Sequence, residues 1–232
     1  PLTPLTFLER AATVMPEHVA VIHGTLRYNY GGLYARARRL ASALSRQGMR
    51  RGHTVSALLP NVPPMLEAHY GVPMCGAVLH SINTRLDAAS IAFQLDHAGS
   101  RVLIVDREWL PLAAEAIGLA ETDPLVVVYE DPQIGSEAPS PGQHIDYESF
   151  LAQGDPDYQW LMPEDEWDAI SINYTSGTTG NPKGVVSHHR GAYLLAQGNA
   201  LIGNMPRHAT YLWTLPMFHC NGWCFPWTMS VL

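Results

Sequence analysis

The sequence predicts an α/β fold in which mainly parallel sheets are flanked by helices. Between residues 54 and 129, short apolar runs alternate with segments of helical periodicity, a pattern typical of parallel strands joined by crossover helices. The run Leu125–Tyr129 is apolar and largely β-branched, as expected for a strand buried on both faces. Glycines at positions 48 and 99 stand where helical patterns end.

The first fifty residues predict a helix, a hairpin and a second helix. A helical pattern follows Pro4, and two β-like runs at residues 19–22 and 26–30 then flank His23-Gly24-Thr25, which favours a hairpin. The second helix is indicated by apolar residues at spacings of three and four: Leu33, Ala37, Leu40, Ala41 and Leu44.

The remaining elements follow from the same criteria. Strands are expected at residues 54–59, 77–82, 101–105, 125–129 and 169–174, and helices at 64–75, 87–97 and 147–151. Proline and glycine indicate surface loops over 131–143 and 153–163. After a glycine-rich loop, Val185 and Val186 resume an apolar run, and a helix is expected to begin near Ser187.

Composition excludes several classes of protein. The chain has 232 residues, 47% of them apolar and 15% charged, which indicates a folded protein rather than a disordered one. Its formal charge of −7 argues against a nucleic-acid-binding role. Its basic cluster, which includes Arg36, Arg38 and Arg39, is interpreted as the solvated face of a helix.

Cysteine use and the start of the chain predict a cytoplasmic protein. Three cysteines are too few for a disulfide framework, and they have no zinc-site spacing, so no metal ligands are assigned. The first residues lack a basic segment and a long apolar run, so they do not resemble a secretory signal. No apolar stretch is long enough to span a membrane.

The loop after the strand at 169–174 has the chemistry of a phosphate site. Residues 175–184 read TSGTTGNPKG, in which small residues let the backbone approach a ligand and successive N–H groups can bind an anion. Lys183 adds a positive charge suited to polyphosphate. The spacing excludes a Walker A loop, because Pro182 stands where the second glycine is required. A glycine-rich connection without a ligand is the alternative.

These ten residues resemble the signature of the adenylate-forming superfamily, which includes acyl-CoA ligases, luciferase-like enzymes and peptide-synthetase adenylation domains. The resemblance extends to GAVLHSINTR at residues 76–85 and to PMFHCNGW at residues 216–223, and it covers essentially the whole chain. It implies that the chain, residues 1–232, is the N-terminal part of an AMP-binding domain. A C-terminal lid domain is then absent.

The resemblance implies roles for named residues. Lys183 would neutralise phosphate charge, and His219 would line the acyl-carboxylate site. Trp223 lies four residues after His219 and would share its face if the segment is helical, which would make it a wall of the acyl pocket. Phosphate contacts are assigned to Thr175, Ser176, Gly177, Thr178, Thr179 and Gly180. The implied ligands are ATP, Mg²⁺, CoA and a carboxylic acid of medium-chain, aromatic or thioether type.

The implied reaction has two steps: ATP and the acid give an acyl-adenylate, and the CoA thiol then displaces AMP. In the family, the acidic Mg²⁺ ligand and the catalytic lysine of the lid lie downstream of the motif that contains His219. We therefore expect weak or no turnover from this chain alone. Its expected partners are a missing C-terminal half or further copies of the chain in a homo-oligomer. The alternative is a non-catalytic module that binds nucleotide or protein.

Overall fold

The computed structural model describes residues 1–134, 143–175 and 182–232. Its helices are α1 (Leu5–Val14), α2 (Tyr30–Arg46), α3 (Pro63–Met74), α4 (Ala88–Ala98), α5 (Leu110–Leu119), α6 (Tyr147–Ala152), α7 (His189–Ile202), α8 (Cys220–Trp223) and α9 (Phe225–Thr228). Its strands are β1 (Val19–His23), β2 (Leu26–Asn29), β3 (Thr54–Leu58), β4 (Val78–Ser81), β5 (Ser100–Asp106), β6 (Leu125–Tyr129), β7 (Ile145–Asp146), β8 (Ala169–Tyr174) and β9 (Gly184–His188).

A seven-stranded sheet in the order β7-β6-β5-β3-β4-β8-β9 organises the described part of the chain. Every neighbouring pair is parallel except β8 and β9, which are antiparallel. Strands β1 and β2 form a separate antiparallel hairpin, as predicted. The predicted α/β fold with a mainly parallel sheet is therefore confirmed.

Both faces of the sheet are covered, because alternate side chains of each strand enter different cores. In β5, Val102 and Ile104 pack into the core formed with α1, α2 and α3, whereas Leu103 and Val105 pack into the core formed with α4 and α5. Helix α3 lies wholly inside the first core, and every one of its residues is buried. The strands are consequently fixed from both sides, which gives their ends defined positions.

The helix expected near Ser187 begins two residues later, at His189, and residues 184–188, read only as an apolar run, form strand β9. One sequence interpretation was wrong in part: Arg36, Arg38 and Arg39 are half-buried rather than a solvated face, whereas Arg46 is exposed as expected. The Arg36 side chain is 20% exposed and is paired with the fully buried Glu67 at 2.6 Å. Arg39 donates to the Gly154 carbonyl at 3.1 Å. These side chains join elements that lie far apart in the sequence.

Several elements had no sequence prediction: α5, α8, α9, β9 and the two-residue strand β7. The α5 sequence LPLAAEAIGL is apolar nearly throughout, so it lacks the contrast between faces on which helical periodicity depends. Within the described residues, none of the helices has the length and apolar character needed to cross a membrane.

Candidate functional site at the carboxyl edge of the sheet

Polar residues gather where β3, β4 and β8 end. These strands are parallel, so their carboxyl ends lie at one edge of the sheet. Asn61 follows β3, while Ser81 and Asn173 lie in the last two residues of β4 and β8. The chain passes from β3 to β4 on one side and returns to β5 on the other, and such a change of direction opens a ligand crevice at this edge.

The base of the glycine-rich loop is closed by two hydrogen bonds between its ends. The Thr175 N–H donates to the Lys183 carbonyl at 3.0 Å. The Lys183 N–H donates to Thr175 Oγ1 at 3.2 Å. Both residues are exposed at the mouth of a hairpin connection between β8 and β9. The predicted phosphate contacts from Ser176 to Gly180 lie outside the described residues, so they stay predictions.

Gly184 allows the returning strand to lie close to β8. It pairs with Tyr174, and a Cβ atom at this position would lie 2.8 Å from Ile172 Cδ1 and 3.5 Å from Tyr174 Cζ. Real Cβ atoms do not approach another atom as closely as 2.8 Å. A side chain at position 184 would therefore require the end of the Ile172 side chain to shift, whereas glycine fits beside β8 as it stands.

A second segment, residues 213–219, is held at the same edge by side chains that bind its backbone; we call it the site segment. Asn61 Nδ2 donates to the Leu215 carbonyl at 3.0 Å and to the Trp213 carbonyl at 3.3 Å. Asn61 Oδ1 accepts from the Met217 N–H at 2.8 Å. One amide side chain thus satisfies three backbone groups of the site segment.

The residue before His219 is held by β4 and β8 together. The Phe218 carbonyl accepts from Asn173 Nδ2 at 2.9 Å and from the Ser81 hydroxyl at 3.1 Å. Asn173 Nδ2 also donates to Ser81 Oγ at 2.9 Å. Asn173 stands two residues before Thr175, so the end of β8 connects the site segment directly to the base of the loop.

His219 is exposed at this edge. The backbone N–H of His219 donates to the Pro216 carbonyl at 3.1 Å, which fixes the backbone but leaves the imidazole accessible. Trp223 is 52% exposed. Its carbonyl accepts from Asn199 Nδ2 at 2.8 Å, which anchors it to α7.

The turn after His219 is unusual for L-residues. The φ angles of Cys220, Gly222, Trp223 and Cys224 are 45°, 57°, 54° and 63°, all in the left-handed region. The spacing argument that placed Trp223 on the same face as His219 requires a right-handed helix. Cys220, Gly222 and Trp223 of α8 instead have left-handed φ angles. The proposed pocket role of Trp223 therefore stays a prediction. Non-glycine residues in this conformation are strained, and such strain is concentrated at functional sites in proteins.

A buried histidine lies beneath the edge without being part of its exposed chemistry. His80 Nδ1 shares a hydrogen bond of 2.8 Å with Ser56 Oγ, and its Nε2 lies 3.2 Å from Gln94 Oε1. Burial lowers the pKa of His80 to about 4, so its ring is neutral at pH 7. His80 thus ties β4 to β3 and α4 and supports Ser81, the next residue.

A cavity of about 430 Å³ lies beside the site segment. It separates the β1–β2 hairpin from residues 208–213, and Asn61 and Met217 contribute to its wall. Lys183 and His219 do not line it, so the cavity is distinct from the exposed edge that carries them. The described residues contain no group of three or more His, Cys, Asp or Glu side chains arranged to hold a metal ion.

Asn61, Ser81 and Asn173 had no sequence prediction. Each partner is a backbone group or a hydroxyl far along the chain, which no local pattern reports. A usable signal was present nonetheless: each is a small polar residue at the carboxyl end of an expected parallel strand, where ligand sites of such sheets form.

Comparison with known proteins assigns this geometry to a family. A model described as AMP-binding enzyme matches residues 8–232. An acetate/butyrate–CoA ligase of Arabidopsis thaliana, named as peroxisomal, is 52% identical, and the alignment covers 100% of this chain and 42% of that protein. An acetate–CoA ligase of Humulus lupulus is 48% identical, with 99% and 42% covered. The chain thus spans less than half the length of these curated relatives.

Solved structures agree with this assignment. The inhibitor-bound N-terminal domain of FACL13 from Mycobacterium tuberculosis is 29% identical, with a TM-score of 0.79. The match covers 100% of this chain and 55% of that one. The fold described here is therefore shared along the entire chain.

Proposed function

The chain belongs to the AMP-binding enzyme family, and from that premise we propose that it takes part in the ATP-dependent activation of a short-chain carboxylic acid and its transfer to CoA. One observation carries the proposal. The end of β8 holds both the base of the glycine-rich loop, through Thr175, and the segment that ends at His219, through Asn173. A nucleotide site and an acid site would then adjoin.

In the proposed first step, a carboxylate oxygen attacks the α-phosphorus of ATP. A new P–O bond forms, the bond to the β-phosphate oxygen breaks, and pyrophosphate leaves with that electron pair. Attacker and target are both anionic, so positive charge and N–H donors are needed to screen them. Lys183 is the exposed cation at the loop base, and we assign it this role together with residues 175–180.

In the second step, the sulfur of CoA attacks the acyl carbon and AMP leaves, which gives a thioester.

His219 is proposed to orient the acid, because its imidazole is accessible while its backbone is fixed. Bound Mg²⁺ would add charge neutralisation at the phosphates. The described residues gather no group of three or more His, Cys, Asp or Glu side chains that would hold this ion.

The relatives favour a short acid over the medium-chain, aromatic or thioether acids expected from the sequence. The names of the two relatives specify acetate, and in one case also butyrate. For this chain without further sequence, weak or no turnover stays a prediction. A cytoplasmic location also stays a prediction, since one relative is named as peroxisomal.

The test uses the fact that Lys183 is the only lysine in the sequence. Acetate- and butyrate-dependent exchange between ATP and pyrophosphate is measured for the wild type, Lys183→Ala and Lys183→Arg. We expect Lys183→Ala to lower exchange about 100-fold, the range found when one charge-stabilising donor is removed, and Lys183→Arg to retain more because it keeps the charge. Equal exchange in all three would contradict the assignment.

A binding measurement covers the case in which the chain does not turn over. An amine-reactive reagent labels Lys183, and mass spectrometry follows the labelling as ATP is added. Protection by ATP without exchange would support a nucleotide site at this loop and agree with the expected weak or absent turnover of this chain alone. Absence of both protection and exchange would refute a nucleotide site at this loop.

A further inference from the structure

The last two residues of β8 are anchored in opposite directions, because successive side chains of a strand point to opposite faces of the sheet. Asn173 binds the site segment. The hydroxyl of Tyr174 shares a hydrogen bond of 2.8 Å with His97 Nδ1 on α4, a helix 77 residues earlier in the chain. The residue that directly precedes the loop is thus attached to a helix that contributes no residue to the site described above.

Ring packing fixes the direction of the Tyr174 side chain. The edge of its ring meets His80 at a centroid distance of 5.1 Å and Phe93 at 6.5 Å. Burial raises the pKa of the Tyr174 hydroxyl, so this group stays protonated near neutral pH and is available for the hydrogen bond. Tyr174 therefore has a defined ring position and a single polar attachment at its far end.

His97 provides a firm attachment because the end of α4 is itself fixed. Phe93 stacks on the His97 ring at 5.5 Å. The neighbouring Asp96 carboxylate accepts hydrogen bonds from the N–H groups of Glu121 and Thr122 at distances near 3 Å. Gly99 then ends the helix with a φ of 61°.

The return side of the loop rests on the same ring. Gly184 pairs with Tyr174, and the space that a Cβ would occupy is bounded by Ile172 and by the Tyr174 ring. The Tyr174 ring thus lies beside Gly184, the residue that follows Lys183.

We propose that Tyr174 and His97 are positioning residues for nucleotide binding, acting by holding the base of the loop so that Thr175 and Lys183 present their groups to the phosphates. The inference rests on the proposed function, and it assigns a role in binding ATP to two residues that lie outside the glycine-rich loop. The acid site is attached through Asn173 instead, so it should respond less.

The test measures the ATP concentration that gives half-maximal protection of Lys183 from an amine-reactive reagent, using the full 232-residue chain. Tyr174→Phe keeps the ring and removes the hydroxyl, and His97→Ala removes the partner. We expect each to raise the half-protecting concentration about fivefold, the usual effect of losing one neutral hydrogen bond. The double variant should add little, since both changes remove the same bond.

Two controls separate positioning from general destabilisation. Tyr34→Phe removes a hydroxyl that bonds Trp160 and Glu9 elsewhere in the fold, and it should leave ATP protection unchanged. His97→Gln restores a polar group and should recover part of the protection. Thermal unfolding is followed for every variant, so a loss of ATP protection at unchanged melting temperature identifies positioning.

The outcomes are distinct. A wild type that ATP does not protect would refute the proposed function, and this inference with it. A protected wild type with Tyr174→Phe and His97→Ala indistinguishable from Tyr34→Phe would leave the proposed function intact and overturn the positioning role alone.

Discussion

Two polar networks hold this molecule together, and they differ in charge and in what they bind. The body network joins α2, α3 and α6: the fully buried Glu67 carboxylate accepts from Arg36 and from the Tyr147 hydroxyl, and Arg36 also binds Glu148. The edge network consists of Asn61, Ser81 and Asn173, which are neutral and hold backbone groups of the site segment. One network fixes helices to each other, and the other fixes a site to a sheet.

The difference indicates where stability and function are separable. A buried carboxylate that loses its partners is costly, because a charge is left without compensation in a medium that solvates it poorly. A neutral amide that loses a backbone partner costs less, since water can partly replace it. Changes in the body network should therefore act on folding, and changes in the edge network should act on the site.

The largest expected effect comes from breaking the charged network at its buried end. Replacing the arginine by alanine, Arg36→Ala, leaves Glu67 buried without its cation and should lower the free energy of unfolding by about 3–5 kcal/mol. Glu148→Ala removes the other, largely exposed partner of the same guanidinium and should cost less than about 1 kcal/mol. Urea unfolding of both variants measures the contrast, and similar losses would contradict it.

Acid should destabilise both regions through histidines that are buried and neutral. Burial lowers the pKa values of His69, His80 and His189 to about 4 from an ordinary value near 6.5. The unfolded chain then binds more protons between pH 6.5 and pH 4, so stability falls as the pH falls through that window. We expect a loss of about 1 kcal/mol per histidine between pH 6.5 and 5.5.

Urea unfolding at pH 7.0, 6.5, 5.5 and 5.0 measures this dependence. His80→Gln, which removes one of the three groups, should reduce the slope by about one third once the variant's lower starting stability is subtracted. A stability that stays constant from pH 7 to pH 5 would show that these rings do not remain neutral in the folded protein.

A smaller effect on folding than that of Arg36→Ala, with the clearest effect on the site, is expected from Asn61→Ala. Loss of its amide frees backbone groups at Leu215 and Met217 and should cost about 1–2 kcal/mol. The exchange between ATP and pyrophosphate that depends on a carboxylic acid should fall at least tenfold, because the site segment loses its attachment to β3.

Asn29→Ala is a matched control for this change. Asn29 caps α2 by accepting from the Gly32 N–H at 2.7 Å, and removal of such a cap costs about 1 kcal/mol. Because α2 lies in the body of the fold, exchange per folded molecule should not change. A parallel loss of exchange in both variants would mean that stability alone explains the effect.

Local patterns predicted the framework well. Apolar β-branched runs and glycine-terminated helices report on burial and backbone preference, which depend on neighbouring residues, so the parallel strands and most helices could be placed from sequence. Strand β9 had no prediction of its own, because Val185 and Val186 are both exposed on an edge strand, where an apolar run does not reveal its pairing.

The side-chain attachments could not be predicted, because their partners lie far away along the chain. Arg36 pairs with Glu67 of α3, a helix in which every residue is buried. Asn61 binds carbonyl groups more than 150 residues later in the chain. Thr175, Lys183 and His219 were identified through a family signature, and the structure places the loop base and the segment before His219 at the end of one strand. Their catalytic roles stay predictions.

The described hydrogen bonds from Asn61 and Asn173 to the site segment go to its main chain. Asn61 contacts the carbonyls of residues 213 and 215 and the N–H of residue 217, and Asn173 contacts the carbonyl of residue 218. Every amino acid except proline supplies these groups, so side chains in this stretch can be exchanged without loss of the attachment. Substitutions of the side chains at positions 213 and 215 should therefore leave these hydrogen bonds in place.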